Sequence, residues 1–240
     1  MSRYSAYLKR MARSCLKGKY GFFILAYLLI AVISAIAVSI PFGLFGIASH
    51  PLLLFTQIVV FFMLSVLVNM LNIGFTKLAL SAVRREPLFF KDLFYAFTHQ
   101  TDQFLILELI LTGIATILYL PTLYLSHLAD YSLLSLLSSQ LLIIGWNIIA
   151  IFLTLLFTLC FTLSVYLLID QPTLGPVEAL RESVLLMRGL KGRLFYLRIS
   201  FIGMYALGIL SGGIGVLWVF PYEEVTLAMF YQDVRHRSST

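Results

Sequence analysis

Residues 215–231 read GVLWVFPYEEVTLAMFY, an apolar run that carries two adjacent carboxylates, Glu223 and Glu224, in its middle. Just before it stand Ser211, Gly212 and Gly213. One uninterrupted span from Leu194 to Leu217 would leave the C-terminus outside. A Gly-Gly break closing a tight hairpin instead returns the chain to its starting side, because glycine accepts the backbone angles such a turn needs.

Charge separates the two readings. All 17 Lys and Arg fall in four segments, Arg3 to Lys19, Lys77 to Lys91, Arg181 to Arg198, and Arg235 with Arg237. With six spans these segments share one side, and the positive-inside rule puts both termini in the cytoplasm. With five spans Arg235 and Arg237 would be stranded outside. The six-span reading is the expectation.

Composition sets the class. Hydrophobic residues make up 60% of the 240, charged residues 12%, and the mean hydropathy is +0.96. A water-soluble domain is roughly 45–50% apolar, so the chain reads as an integral membrane protein. Helices of about 20 residues cross a hydrocarbon core of about 30 Å. Such spans are expected at about 20–40, 52–73, 104–124, 145–168, 194–210 and 214–232. Trp146 and Trp218 would both fall near the outer headgroup level. The formal charge of +6 reads as a cytoplasmic rim facing anionic lipid. It calls for no nucleic acid.

Cys15 and Cys160 lie on different sides of that scheme's inner boundary, so no disulfide or cysteine-based metal site is expected. The N-terminal apolar run continues to Ile40, longer than a signal peptide needs, and is kept as a span.

A repeated plan is visible. Amphipathic stretches at about 2–18, 87–99 and 176–190 each precede a pair of spans. In the last, Val177, Leu180, Val184 and Met187 form one stripe opposite Glu178, Arg181, Glu182 and Arg188, with Pro176 at the start and Gly189 at the end. In the middle one, Phe90, Leu93, Phe94 and Phe97 make the apolar face. Such helices lie in the headgroup plane, either as elbows bracing the bundle or as docking surfaces for lipid or a partner. The basic residues expected at the membrane surface are Lys9, Arg10, Arg13, Lys17, Lys19, Arg84, Arg85, Arg188, Lys191 and Arg193. The serines among residues 131–142 suggest an interfacial or re-entrant helix outside. The fold class is therefore all-α, a single polytopic bundle of six spans arranged as three hairpins, each preceded by a cytoplasmic amphipathic helix.

The opening carboxylates find a partner by counting. In a hairpin turning near Gly212, residues whose numbers sum to about 424 stand at similar depth, since both limbs rise about 1.5 Å per residue. Arg198 then faces Thr226, one turn from Glu223 and Glu224, and Glu108 reaches a comparable level. These four could form one polar cluster in the inner half of the bundle, because a lone charge at a span centre costs about 2.5–3.5 kcal/mol. Two roles stay open for it: a structural ion pair, or a site for substrate, proton or ion. Arg198 has the alternative of snorkelling to the surface. Gly203 and Gly208 suit close helix packing, and Asn69, Asn72, Asn147, Thr154, Thr158 and Thr162 suit hydrogen bonds between helices.

Enzyme chemistry has little support. His50, His99, His127 and His236 are scattered and form no zinc-binding pair, and no phosphate loop or G-x-S-x-G turn occurs. Adjacent glutamates suggest intramembrane proteases, but Ala228 stands where their arginine belongs. No catalytic residue, metal or cofactor is expected.

Asp170-Gln-Pro172, Glu178-Ala-Leu-Arg181 with Ser183, Leu186-Met187 and Gly189, then Ser200-Phe-Ile-Gly203, Gly213-Ile-Gly215, Leu217-Trp218, Pro221-Tyr222 and Phe230-Tyr231 resemble the signature of a bacterial membrane family, domain of unknown function 975. Lys91-Asp-Leu-Phe94 resembles its middle motif. The resemblance covers about a quarter of the chain at the C-terminal end and implies a protein of the cytoplasmic membrane, chiefly of Gram-positive bacteria. It implies a fold and no activity, and Glu223 and Glu224 depart from its pattern. The resulting expectation is a non-enzymatic accessory or scaffold protein that binds a membrane partner or lipid. The alternative is a small transporter or channel using Glu108, Arg198, Glu223 and Glu224.

Overall fold

The computed structural model describes residues 2–45, 51–130 and 136–238, and among these the regular structure is helical throughout. In chain order the helices are α1 (Ser2–Leu16), α2 (Tyr20–Phe45), α3 (Pro51–Val83), a 3₁₀ turn (Phe90–Phe94), α4 (Tyr95–Thr98), α5 (Thr101–Asp130), α6 (Leu136–Phe161), α7 (Ser164–Asp170), α8 (Pro176–Leu186), α9 (Lys191–Leu210) and α10 (Val216–Ser238). Five segments are long and apolar enough to cross a membrane: Tyr20–Pro41, Leu52–Val83, Thr101–Thr122, Gln140–Asp170 and Lys191–Leu210. α10 is not among them, since Glu223, Glu224, Gln232 and Asp233 dilute its apolar residues.

α10 is nonetheless the most enclosed of the long helices. Val219, Tyr222, Val225, Thr226, Leu227, Ala228, Phe230, Tyr231 and Val234 are all buried, and α1, α2, α3 and α9 pack around it. Protein surrounds the helix on most of its faces, so lipid solubility is not what selects its residues. This explains why hydropathy alone undervalues it.

The three hairpin pairs α2 with α3, α5 with α6, and α9 with α10 each pack together. The last turns where the glycines stand. Gly212 and Gly213 take φ values of 73° and 85°, angles that cost a side chain dearly. Below the turn the limbs nearly touch: a Cβ built on Gly215 would lie 2.7 Å from the Gly208 Cα. Gly208 therefore packs as expected, whereas Gly203 is exposed with open space around it and packs against nothing.

Ring contacts fix the height of this hairpin. Phe220 stacks on Tyr27 of α2 at 4.2 Å and lies 5.3 Å from Phe75 of α3, centroid to centroid. From Phe220 to Gly212 is about 12 Å, about 6 Å of it α10 and the rest the turn, while α3 runs about 36 Å from Phe75 to Pro51 at the α-helical rise. For limbs running side by side, the hairpin turns about 24 Å short of the far end of α3. The two tryptophans accordingly do not share a belt. Trp146 donates its indole N–H to the Leu118 carbonyl at 3.1 Å, and Asn69 of α3 meets Thr112 of α5 at 3.0 Å. Stepping along α5 and α3 from that contact puts Trp218 about 15 Å nearer the basic end than Trp146.

The elbows differ from expectation in detail. α1 buries Ser5, Leu8, Ala12 and Leu16 on one stripe and lies along α10: Tyr4 bonds Asp233, and the Lys9 carbonyl accepts from Tyr222. The middle elbow is one 3₁₀ turn plus one α-turn rather than a helix over 87–99. Only Leu93 and Ala96 are buried there, because Leu93 drops its backbone against Gly74 of α3. A Cβ on Gly74 would sit 1.8 Å from the Leu93 carbonyl oxygen. In α8 the packed face is Ala179, Leu180, Ser183 and Met187, with Val177 exposed. Ser183 turns the stripe by donating to the Cys160 carbonyl at 2.8 Å. Pro176 does open α8, and the Glu178 carboxylate accepts from the Gly175 N–H at 3.2 Å. Residues 131–135 lie outside the described residues, and 136–142 open α6 rather than forming a separate helix.

Candidate functional site

The four candidate residues divide into two places. Arg198, Glu223 and Glu224 come together where α9 and α10 meet the kink between α6 and α7. Glu108 is buried on α5 beside Asn69 of α3, with Thr112 accepting from the same amide. Stepping along α5 from the Asn69–Thr112 contact sets Glu108 level with Ile73 of α3, and it faces a different interface from the other three.

Within the first group each side chain has its own setting. The Tyr205 hydroxyl, on α9, donates to Glu223 Oε2 at 2.6 Å. Arg198 does not snorkel. Its Nη2 reaches Thr162 Oγ1 at 3.4 Å, and its Nε is buried with no hydrogen-bond partner. Glu224 lies within electrostatic reach of Glu223 and Arg198. Even so, no ion pair within 4.0 Å joins Arg198 to either glutamate. Tyr166, at 2% exposure on α7, also feels Glu224, Arg198 and Glu223, and its hydroxyl has no partner. The ring is held by stacking on Tyr231 at 5.1 Å.

Lys9 joins this group from α1, where the sequence suggested a surface residue. Its ammonium donates to the Ser200 carbonyl at 2.8 Å and sits 4.0 Å from the Phe201 ring centroid. Burial pulls its pKa below the ordinary lysine value, Glu223 opposing and Arg13 adding to the shift. The cluster thus contains two cations and two carboxylates from α1, α9 and α10. Counting along one hairpin could not reveal a partner on the first helix.

The depth of the cluster follows from the same ring contacts. Glu223 lies one turn below Phe220, level with Leu78 of α3 and about 40 Å from Pro51 along the helix. Lys77 stands at that height, its ammonium 5.5 Å from the Tyr95 ring. The polar group therefore lies at the lysine- and arginine-bearing end of the bundle, not at mid-span.

A second polar set ties that end together. Arg84 Nη2 donates to both Asp170 oxygens at 2.7 and 2.8 Å, and the Tyr231 hydroxyl donates to Oδ2 at 2.7 Å. These three, with Gln232, Arg235 and His236, line an open cleft of about 380 Å³. Tyr4 donates to Asp233 at 2.5 Å, with Arg193 and Arg237 over its ring. Of the remaining basic residues, Arg10, Arg13, Lys17, Arg85, Arg188 and Lys191 are exposed, and Lys19 is half-buried. Among the polar residues within spans, Asn69, Asn147 and Thr162 do bridge helices. Asn72 and Thr158 bond back to their own helices.

Among the described residues no group of three His, Cys, Asp or Glu is placed to hold a metal ion, and Cys15 and Cys160 are unpaired. Several residues that carry the family resemblance now have structural work: Asp170 and Tyr231 in the polar tie, Ser183 under α6, Tyr222 on α1, and Gly189 and Gly213 at positive φ. No curated protein and no solved structure matches the chain. A family model does, over residues 1–238, and the chain belongs to that family, described as a protein of unknown function (DUF975).

Proposed function

We propose that this is a non-enzymatic accessory protein of the bacterial cytoplasmic membrane that engages inner-leaflet lipid through its elbow layer. Both termini lie on the cytoplasmic side. α2–α3 and α5–α6 cross as hairpins, and α9–α10 enters from the basic side and returns. The observation that carries the reading is the exposed aromatic face of the middle elbow. Leu93 anchors it under α3, while Phe89, Phe90, Phe94 and Phe97 remain exposed beside Lys91. Phe90 also meets Phe22, at the start of α2, at 4.3 Å. Aromatic rings beside cations at the end of an apolar helix suit the boundary between headgroups and acyl chains. Val177 and Leu185 of α8 and Tyr7 and Met11 of α1 add to the same exposed apolar layer. Arg10, Arg13, Lys17 and Arg85 supply attraction to anionic lipid.

The test is extraction into native-lipid nanodiscs, with mass spectrometry of everything retained. Wild type is expected to keep anionic lipid in excess over the bulk membrane, and Phe90→Ser with Phe94→Ser, which leave the cations but remove the rings that seat the elbow in the bilayer, to keep less lipid while staying folded. Equal lipid in both would refute the reading. A second reading, a small transporter built on the cluster, is favoured by one observation: the unpartnered atoms of Arg198 and Tyr166. Substrate flux lost on Glu224→Gln in folded protein would put it first.

A further inference from the structure

We infer that Arg198, Tyr166 and Glu224 form a binding site for a small zwitterionic group, with an anionic oxygen held by Arg198 and Tyr166 and an ammonium held by Glu224. The other two charges of the cluster are already engaged, Glu223 by Tyr205 and Lys9 by the Ser200 carbonyl. Arg198 and Glu224 are near enough to feel one another and yet form no ion pair. Buried donors without partners are rare in folded proteins and point to an absent ligand or water.

Two such donors are present. Arg198 Nε and the Tyr166 hydroxyl are each buried and unbonded, and the hydroxyl belongs to a side chain more than nine-tenths buried that feels the charges of Glu224 and Arg198. A guanidinium N–H and a phenol O–H both donate to an anionic oxygen. Glu224 accepts no hydrogen bond among the described residues and supplies the acceptor an ammonium requires. The frame is stiff: Tyr166 stacks on Tyr231, itself bound to Asp170, and Thr162 steadies the guanidinium.

Phosphoethanolamine and a free α-amino acid both present this pair of charges. The site lies at the basic end of the bundle, where headgroups of the inner leaflet stand, so a lipid source is within reach without any transport step. The site is separate from the exposed aromatic elbow, which engages lipid without it.

The experiment uses the full chain in nanodiscs of phosphatidylethanolamine, phosphatidylcholine or phosphatidylglycerol, with native mass spectrometry counting retained lipid and a thermal-shift series with glycine. Preferential retention of phosphatidylethanolamine, about tenfold over phosphatidylcholine whose capped nitrogen cannot donate, supports the site and a lipid source. Stabilisation by glycine, with no lipid preference, supports the site and a free ligand. Tyr166→Phe is the decisive variant, since it keeps the stacked ring and removes only the unbonded hydroxyl. It should fold as well as wild type and lose about tenfold in binding, the scale of one hydrogen bond to a charged group. Retention of neither ligand overturns the inference. Binding unchanged in Tyr166→Phe also overturns it.

Discussion

Gly74→Ala tests the packing that seats the middle elbow. The added methyl would sit 1.8 Å from the Leu93 carbonyl oxygen and 2.4 Å from its carbonyl carbon. Both are backbone atoms, so no side-chain rotation relieves the clash, and the turn has to lift by more than an ångström. Leu93 and Ala96 are fully buried beneath it. Burying a leucine is worth about 1.5–3 kcal/mol, and forcing a methyl into a packed interior costs about 1–3 kcal/mol. Alanine gains about 1 kcal/mol of helix propensity over glycine. The cost wins, and a net loss of about 1–3 kcal/mol is expected. Gly113→Ala is the matched control, because a Cβ there meets nothing within 4 Å on α5, and it should be neutral or slightly stabilising. Thermal unfolding in detergent, followed by loss of the monodisperse peak in size exclusion, compares the two. Equal midpoints for Gly74→Ala and Gly113→Ala would refute the close approach of turn and helix.

Other perturbations probe other joints. Asp170→Asn weakens the bonds from Arg84 and Tyr231; a hydrogen bond to a charged group is worth about 1.5–3 kcal/mol, and partial exposure of Arg84 favours the low end, so chemical unfolding should show a loss of about 2 kcal/mol. A midpoint matching wild type would remove this tie from the account. Tyr4 has its pKa raised by burial and then by Asp233, so its contribution is complete below the ordinary tyrosine value of about 10 and is lost as pH climbs through the folded value. Wild type should therefore lose stability above about pH 10 more steeply than Tyr4→Phe, and parallel curves would contradict the docking of α1 through this hydroxyl. Depth is open to single-tryptophan variants: quenching by lipids brominated at different acyl positions should place Trp218, in Trp146→Phe, about 15 Å from Trp146, in Trp218→Phe. Coincident quenching profiles would restore a common belt and refute the short third hairpin.

The helical, membrane-embedded class was legible because it rests on sums over long windows. Apolar runs of span length and the clustering of Lys and Arg survive any local error. The Gly-Gly turn was legible because positive φ is a demand that few residues meet. Less visible was the environment of α10. Hydropathy scores a helix as though lipid surrounded it, whereas α1, α2, α3 and α9 surround α10 and permit its polar residues. Depth could be counted along one hairpin, which correctly brought Arg198 near the glutamates. Lateral position could not, so Glu108 was assigned to the wrong interface and Lys9 was left on the surface. The orphaned Tyr166 hydroxyl leaves no trace in sequence, since a buried tyrosine with a partner and one without are spelled alike.

Engagement of the inner leaflet by the elbow is best tested with a reporter on it. Phe94→Trp in a background of Trp146→Phe and Trp218→Phe places one indole on the exposed face of the 3₁₀ turn. In bilayers containing anionic lipid the emission should be blue-shifted and quenched most by bromines nearest the headgroups. Water-like emission, unquenched by any brominated lipid, would contradict the proposal that this face meets the membrane.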